Sequence, residues 1–290
     1  MIIEQMILLC YNEKNFLVKK DYVMADIDIL ISELSSFETV EAVVIGGSRA
    51  SGYSDELSDY DIYVYCTKNP DKKDDDDRKQ KLEHLCSYYE FGNEYWEHED
   101  NIILKDGTHV DIIYRQLEMI EKLMNYQLNQ GGAFNSYTTC FWFNLLHTKI
   151  MYDKNGKYKE IQQKYDIPYP NLLRKNIITR SKALIFEKMP AFNAQIEKAY
   201  ARNDIISVNH RVAEFLASYS DMIFALNRLP HPGEKRILNY AKKNCKILPK
   251  DFEKNITELL SSFSDKEKTL NAMHNIVNEL KNLLKEQGGM

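Results

Sequence analysis

The pattern of apolar and polar positions changes character near residue 130. Before that point short apolar runs are broken by turn residues; beyond it apolar positions recur at helical spacing almost to the end. Val23, Ile27, Leu30, Ile31 and Leu34 recur every three or four positions and predict a helix over 16–34. The run Val43-Val44-Ile45 closes a predicted strand over 41–45. Tyr60, Ile62, Val64 and Cys66 alternate with Asp59, Asp61, Tyr63 and Tyr65, the period of a strand with two unlike faces. Asp106-Gly107 is a hairpin signal between β-prone runs at 101–105 and 108–114. Helices are predicted over 49–53, 78–89 and 115–128, with the polar stretch 69–77 and its four aspartates as a loop before the second of these.

Past Gln130-Gly131-Gly132 the periodicity predicts helices over 141–151, 172–188, 193–201, 204–228, 233–244, 251–262 and 266–286. Pro168, Pro170, Pro190, Pro230, Pro232 and Pro249 fall between these pieces, where a residue without an N–H does no damage. The expected architecture is α+β: a small mixed sheet with helices over 1–130, then an all-helical bundle over 131–290.

A chain of 290 residues can bury cores for two domains. No apolar stretch has the ~20 residues needed to cross a bilayer, so no membrane is expected. Residues 1–10 are apolar, but Glu4 stands where a signal peptide carries basic residues. The five cysteines are scattered without metal-ligand spacing and read as reduced thiols in a cytoplasmic protein. The net charge of −5 hides an asymmetry: residues 1–130 carry 13 Lys+Arg and 27 Asp+Glu, and residues 131–290 carry 25 and 16. An acidic half and a basic half suit two domains facing each other across a cleft; they equally suit two solvated surfaces. The acidic first half also argues against nucleic acid as a partner.

The chemistry concentrates in Gly46-Gly47-Ser48 and the pair Asp59 and Asp61. Backbone N–H groups of a glycine turn that opens a helix can cradle phosphate oxygens. Carboxylates spaced i, i+2 on a strand share a face, and hard carboxylate oxygens suit magnesium. Asp111, among Val110, Ile112 and Ile113, supplies a third from another strand, and burying it is costly unless a cation compensates. Two such ions about 4 Å apart serve the attacking and leaving oxygens of an in-line transfer. Arg49 sits beside the turn, to meet phosphate or to bridge a carboxylate. In the helix over 204–228 the stripe Val208, Val212, Phe215, Tyr219, Met222 and Leu226 leaves His210, Arg211, Glu214 and Asp221 on another face. Glu214 is thereby a candidate general base, although the same face reads more readily as a solvated surface with local i, i+3 pairing. Glu97, Glu99 and Asp100 fall in a loop-like stretch and are set aside.

Gly46-Gly47-Ser48-Arg49-Ala50 through Ser58-Asp59-Tyr60-Asp61-Ile62 resembles the signature of the DNA polymerase β-like nucleotidyltransferase superfamily, closest in look to the aminoglycoside nucleotidyltransferases. The resemblance implies that Gly47 and Ser48 contact the triphosphate and that Asp59, Asp61 and Asp111 hold magnesium; Gly46 and Arg49, in the same turn, are expected beside the phosphates. A second stretch, Phe224 to Arg228 with Pro232 to Arg236, resembles helical domains appended to uncharacterised members; such domains close the cleft and recognise the acceptor. The expected activity is transfer of a nucleoside monophosphate, AMP first, from the triphosphate (ATP) to a hydroxyl of a small molecule. An aminoglycoside-type antibiotic is the acceptor the resemblance favours, and an acidic cleft would attract such a polycation. A protein or RNA acceptor stays open, as do a non-catalytic nucleotide sensor and a homodimer formed through the helical half.

Overall fold

The computed structural model describes residues 26–47, 49 and 59–288. The first helix is seen from Asp26: α1 (Asp26–Ser35) buries Leu30, Ile31 and Leu34 and carries Asp26 and Asp28 in its first turn, where the helix dipole favours negative charge. Its earlier predicted turns, and most of the short helix expected over 49–53, lie outside the described residues. Strands β1 (Val40–Ile45) and β2 (Tyr60–Cys66) follow, then α2 (Lys72–Leu82), β3 (Cys86–Asn93), β4 (Glu99–Leu104) and β5 (His109–Gln116). After β5 come α3 (Leu117–Met124), a π-turn over 125–129, α4 (Cys140–His147) and β6 (Lys149–Asp153). The strand order is β3-β4-β5-β2-β1-β6, antiparallel except for the parallel pair β2–β5.

Four local expectations are corrected. The aspartate run is not a loop but the first two turns of α2, because Asp71 caps the helix through the N–H groups of Lys73 and Asp74 while Asp74 accepts from the Asp71 N–H. Residues 86–89 are not helical; they enter β3, whose pairing with β4 overrides the local pattern. Arg115 and Gln116, expected to open a helix, are the last residues of β5, held in the ladder opposite Tyr65 and Cys66. The helix expected over 141–151 stops at His147: Thr148 turns extended, its hydroxyl is shared with Leu145 and Tyr158, and the next five residues pair with the free edge of β1 as β6.

The two faces of the sheet have different partners. Val43, Ile45, Ile62, Val64, Ile112 and Tyr114 pack against α1 and the end of α2. Asp100, also reassigned from loop to strand, is fully buried on that side, where Arg78, Tyr114 and the Gly92 N–H all bond its carboxylate. This is the condition under which a buried charge is tolerated. The opposite face presents Ala42, Val44, Tyr63 and Tyr65 to the helical half, whose core they join.

That half contains α5 (Lys157–Lys164), α6 (Asn171–Lys182), α7 (Phe192–Ala201), α8 (Ile205–Leu226), α9 (Ile237–Asn244), α10 (Phe252–Ser261) and α11 (Lys266–Glu286). Asp204 caps α8 through the Ser207 N–H and hydroxyl. The expected stripe from Val208 to Leu226 is buried, and every residue from Asp221 to Leu226 is buried as well. So α8 begins amphipathic and ends as a helix enclosed on all sides. Among the described residues no helix is long and apolar enough to cross a membrane.

Candidate active site

The site sits where β1 ends and β2 begins. The Gly46 N–H donates to the Asp61 carbonyl at 2.8 Å, so this amide extends the β1–β2 ladder instead of facing a ligand. What Gly46 contributes is room, since a Cβ there would strike the Tyr63 ring. Gly47 has φ +61°, and a Cβ on it would fall on the Asp61 carboxylate. Two reasons therefore require glycine at 47: a left-handed backbone and the close approach of an acid. Arg49 stacks on the Tyr60 ring, its guanidinium carbon 4.1 Å from the centroid. Ser48 lies outside the described residues.

Asp61 and Asp111 are register partners on β2 and β5, so both side chains leave the same face of the sheet. Asp59, exposed, precedes Asp61 by two positions along the chain. Asn101 on β4, the register partner of Asp111 on its other side, donates its amide to the Asp111 carboxylate at 2.9 Å. The Asp61 carboxyl is pushed above its ordinary pKa, first by burial and then by the charges of Asp111 and Asp59; Lys235 pulls the other way. Glu99 is a fourth acid on this face, buried at the start of β4; burial and then Asp111 push its carboxyl upward too. Set aside as a loop residue, it is instead a strand residue. Its alternation with Asn101 and Ile103 was the signal that could have found it.

Lys235 belongs to the helical half, in the segment between α8 and α9. Its charge lowers the Asp61 pKa, and the segment that carries it is tied down at His231. His231 is fully buried: its N–H donates to Thr139 Oγ1 at 2.8 Å, and its Nδ1 accepts from the Gly233 N–H at 3.0 Å. The ring proton therefore sits on Nε2, 3.0 Å from Ser220 Oγ on α8. Burial alone lowers the His231 pKa to about 3. Arg115, four residues after Asp111, is also buried; Glu97 grips it through Nε and Nη2, and Tyr63 and Phe141 flank its guanidinium at 4.6 and 4.9 Å.

On α8 the expected polar face divides. Asp221 is not a cleft acid: it is buried and accepts from the Thr138 N–H at 3.1 Å and the Thr138 hydroxyl at 2.7 Å, and burial raises its pKa to about 6. Glu214 is half-buried, and its charge, with that of Glu234, acts on the Tyr137 phenol. Among the described residues no hydrogen bond or ion pair joins Glu214 to the three aspartates.

The donor set suits a hard divalent cation. Asp61 and Asp111 present carboxylates from adjacent strands, Asp61 remains under-compensated despite Lys235, and the missing Cβ of Gly47 lets the backbone lie close against the Asp61 carboxylate. Among the described residues no three His, Cys, Asp or Glu side chains are already gathered as a metal cage.

Residues 27–127 match the family model for a nucleotidyltransferase domain, and residues 140–236 match a domain of unknown function, DUF4037. No curated protein matches the chain. Similar solved structures include a nucleotidyltransferase-like protein from Exiguobacterium sibiricum, with 11% identity, a TM-score of 0.42 and coverage of 89% of this chain and 75% of that one. Another is an aminoglycoside 6-adenyltransferase from Bacillus subtilis, with 13% identity, a TM-score of 0.30 and coverage of 91% of both chains. A CCA-adding enzyme with ATP aligns at 10% identity and a TM-score of 0.29, over 89% of this chain and 81% of that one. These scores carry no argument about substrate, and the expectation that nucleic acid is not a partner gains no support from them. The family match is the stronger finding: residues 27–127 form a nucleotidyltransferase domain, followed by a helical C-terminal region, and the chain is a nucleotidyltransferase.

Proposed function

We propose that this nucleotidyltransferase moves a nucleoside monophosphate, AMP in the first instance, from a triphosphate to a hydroxyl of a small acceptor, with release of pyrophosphate. The observation that carries the reading is the in-register pair Asp61 and Asp111 beside the Gly47 backbone, on the sheet face turned toward the helical half. Asp59, Asp61 and Asp111 would hold magnesium, which when bound supplies cancellation of charge on the phosphate oxygens. The turn Gly47 to Arg49 is the proposed cradle for the triphosphate, with Gly46 contributing room behind it. Lys235, whose charge acts on Asp61, is the proposed cation for phosphate from the helical side.

Glu214 is proposed to take the proton of the acceptor hydroxyl. It faces the Tyr137 segment, as does Glu234, whose neighbour Lys235 acts on Asp61. We also propose a division into a catalytic segment over 1–130 and a helical segment over 131–290, with β6 as the piece of the second that completes the sheet of the first. The favoured acceptor class is aminoglycoside-like, because clustered carboxylates attract polycations. Among the described residues the free thiols of Cys66, Cys86, Cys140 and Cys245 suit a reducing compartment such as the cytoplasm.

The test is pyrophosphate release from each of the four nucleoside triphosphates with magnesium, over aminoglycosides, a peptide and a tRNA as acceptors. ATP with a small cationic alcohol should give the fastest release, and Asp61→Asn should abolish it. Binding of triphosphate without release across the whole panel would favour a sensor instead. Release that survives Asp61→Asn would remove the proposed site.

A further inference from the structure

A chain of side-chain hydrogen bonds runs across β3, β4 and β5 and ends on Asp111. Asn93 Nδ2 donates to Asn101 Oδ1 at 3.0 Å, and Asn101 Nδ2 donates to Asp111 Oδ1 at 2.9 Å. Asn101 stands opposite Asp111 in the β4–β5 ladder; on its other side a register shift between Glu90 and Asn93 brings Asn93 within reach. The direction of the chain is fixed from both ends. At the outer end the Tyr95 N–H donates to Asn93 Oδ1 at 3.0 Å, so the nitrogen of that amide faces Asn101. At the inner end an ionised carboxylate only accepts. A flipped Asn101 would set oxygen against oxygen at Asp111 and nitrogen against nitrogen at Asn93. The hairpin that carries Tyr95 is itself tied down, through Glu97 to Arg115 at 2.8 and 2.5 Å and through His98 to Asp75 of α2 at 2.8 Å.

We propose that Asn101 is a positioning residue for Asp111, and that Asn93 dictates which way the Asn101 amide points, so that the Asp111 carboxylate is held ready for a divalent cation. The inference rests on the reading of Asp111 as a metal ligand. A carboxylate turns easily about its last torsion. Repulsion from Asp61 and Glu99, two acids on which the Asp111 charge acts, favours turning it away. The Asn101 N–H opposes that rotation by holding Oδ1, and among the described residues no hydrogen bond is made to Oδ2. Backbone ladders already join β3 to β4 and β4 to β5, so the fold does not depend on the two amides. What they add is the orientation of one ligand, the role that outer hydrogen bonds play around metal sites.

The experiment titrates the full chain, without nucleotide, with manganese, which shares the oxygen preference of magnesium, and follows the loss of the free-ion electron paramagnetic resonance signal. Asp111→Asn marks the site and should remove this binding. Asn101→Leu, which keeps the size and removes the donor, should weaken manganese binding about tenfold while the melting temperature without metal stays close to that of the parent. Asn93→Ala should weaken it about threefold, the scale of one neutral hydrogen bond. In the Asn101→Leu background Asn93→Ala should add nothing, because Asn93 acts through Asn101. Ser87→Ala removes another bond from β3 to β4, the one its hydroxyl makes to the Ile103 and Leu104 carbonyls, and should leave manganese binding unchanged. If Asn101→Leu fails to fold, Asn93→Ala, near the end of an edge strand, decides the point by the same titration. Manganese binding unchanged in a folded Asn101→Leu or in Asn93→Ala, additive losses in the double variant, or an equal loss in Ser87→Ala would overturn the positioning role and leave Asp111 a ligand. Parent binding that Asp111→Asn does not reduce would instead remove the metal site, and this inference with it.

Discussion

Asp61 on β2 and Asp111 on β5 stand opposite each other across the parallel strand pair of the sheet. Two like charges held this close, one of them largely desolvated, make the empty site less stable than the fold alone would be. Asp61→Asn or Asp111→Asn should therefore leave the metal-free melting temperature unchanged or higher. Turnover should fall at least about a hundredfold, the scale of losing a principal electrostatic contributor. Magnesium should raise the melting temperature of the parent protein and not of either variant. Calorimetric scans with and without magnesium, beside pyrophosphate release, check both halves; a variant that loses stability and keeps turnover would refute the assignment.

Gly47 and Gly107 both have left-handed backbones, at φ +61° and +89°, but a Cβ meets the Asp61 carboxylate at the first and open space at the second. Alanine at either position should cost about 1–2 kcal/mol from backbone conformation. Only Gly47→Ala should also lose turnover, since it displaces Asp61. Urea titrations paired with turnover separate the two effects. Equal activity losses at both sites would mean that the approach of Gly47 to Asp61 does not matter.

Lys235 is the cation that counters Asp61 from the helical half. Lys235→Gln should leave the aspartates less compensated, so the melting temperature without metal should drop slightly and the stabilisation by magnesium should grow. The KM for triphosphate should rise if the same lysine turns to phosphate. A variant with unchanged magnesium response would show that Lys235 is surface charge only.

Asp221 and His231 pull stability in opposite directions with pH. The Asp221 pKa is raised from 3.8 to about 6, so the folded state keeps a proton that the unfolded chain releases, and its contribution grows as pH falls from 6 toward 4. The His231 pKa is lowered from 6.5 to about 3, so the unfolded chain takes up a proton that the folded state refuses, and stability falls over the same window. Each slope is about 1.4 kcal/mol per pH unit, and between pH 6 and 4 they offset each other. Asp221→Asn can keep the Thr138 N–H bond and reverse the one with the Thr138 hydroxyl, and should lose stability relative to the parent as pH falls. His231→Gln should gain relative to the parent over the same range. Denaturant midpoints at pH 7, 5.5 and 4.5 read the difference; curves parallel to the parent would contradict the burial argument.

Much of the molecule was legible locally. The alternation Asp59 to Cys66 announced a strand with one acidic and one apolar face, and the glycine pair before it announced a turn. The helical stripes of α8 and α11 were visible because an amphipathic helix records its buried face every three or four residues. These features depend on neighbours within one or two turns, so composition and spacing determine them. The strands β3 and β6 were not legible, since each is held by hydrogen bonds to a distant partner and carries a local pattern that also suits a helix. The polar interior escaped for the same reason. Nothing near Asp100, Asp221 or His231 in the chain reveals that Arg78, Thr138 and Thr139 will meet them. The action of Lys235 on Asp61 was decided only when the helical half packed against the sheet. Side-chain type is written in the chain, but which charges are desolvated together depends on long-range contacts that no local spacing encodes.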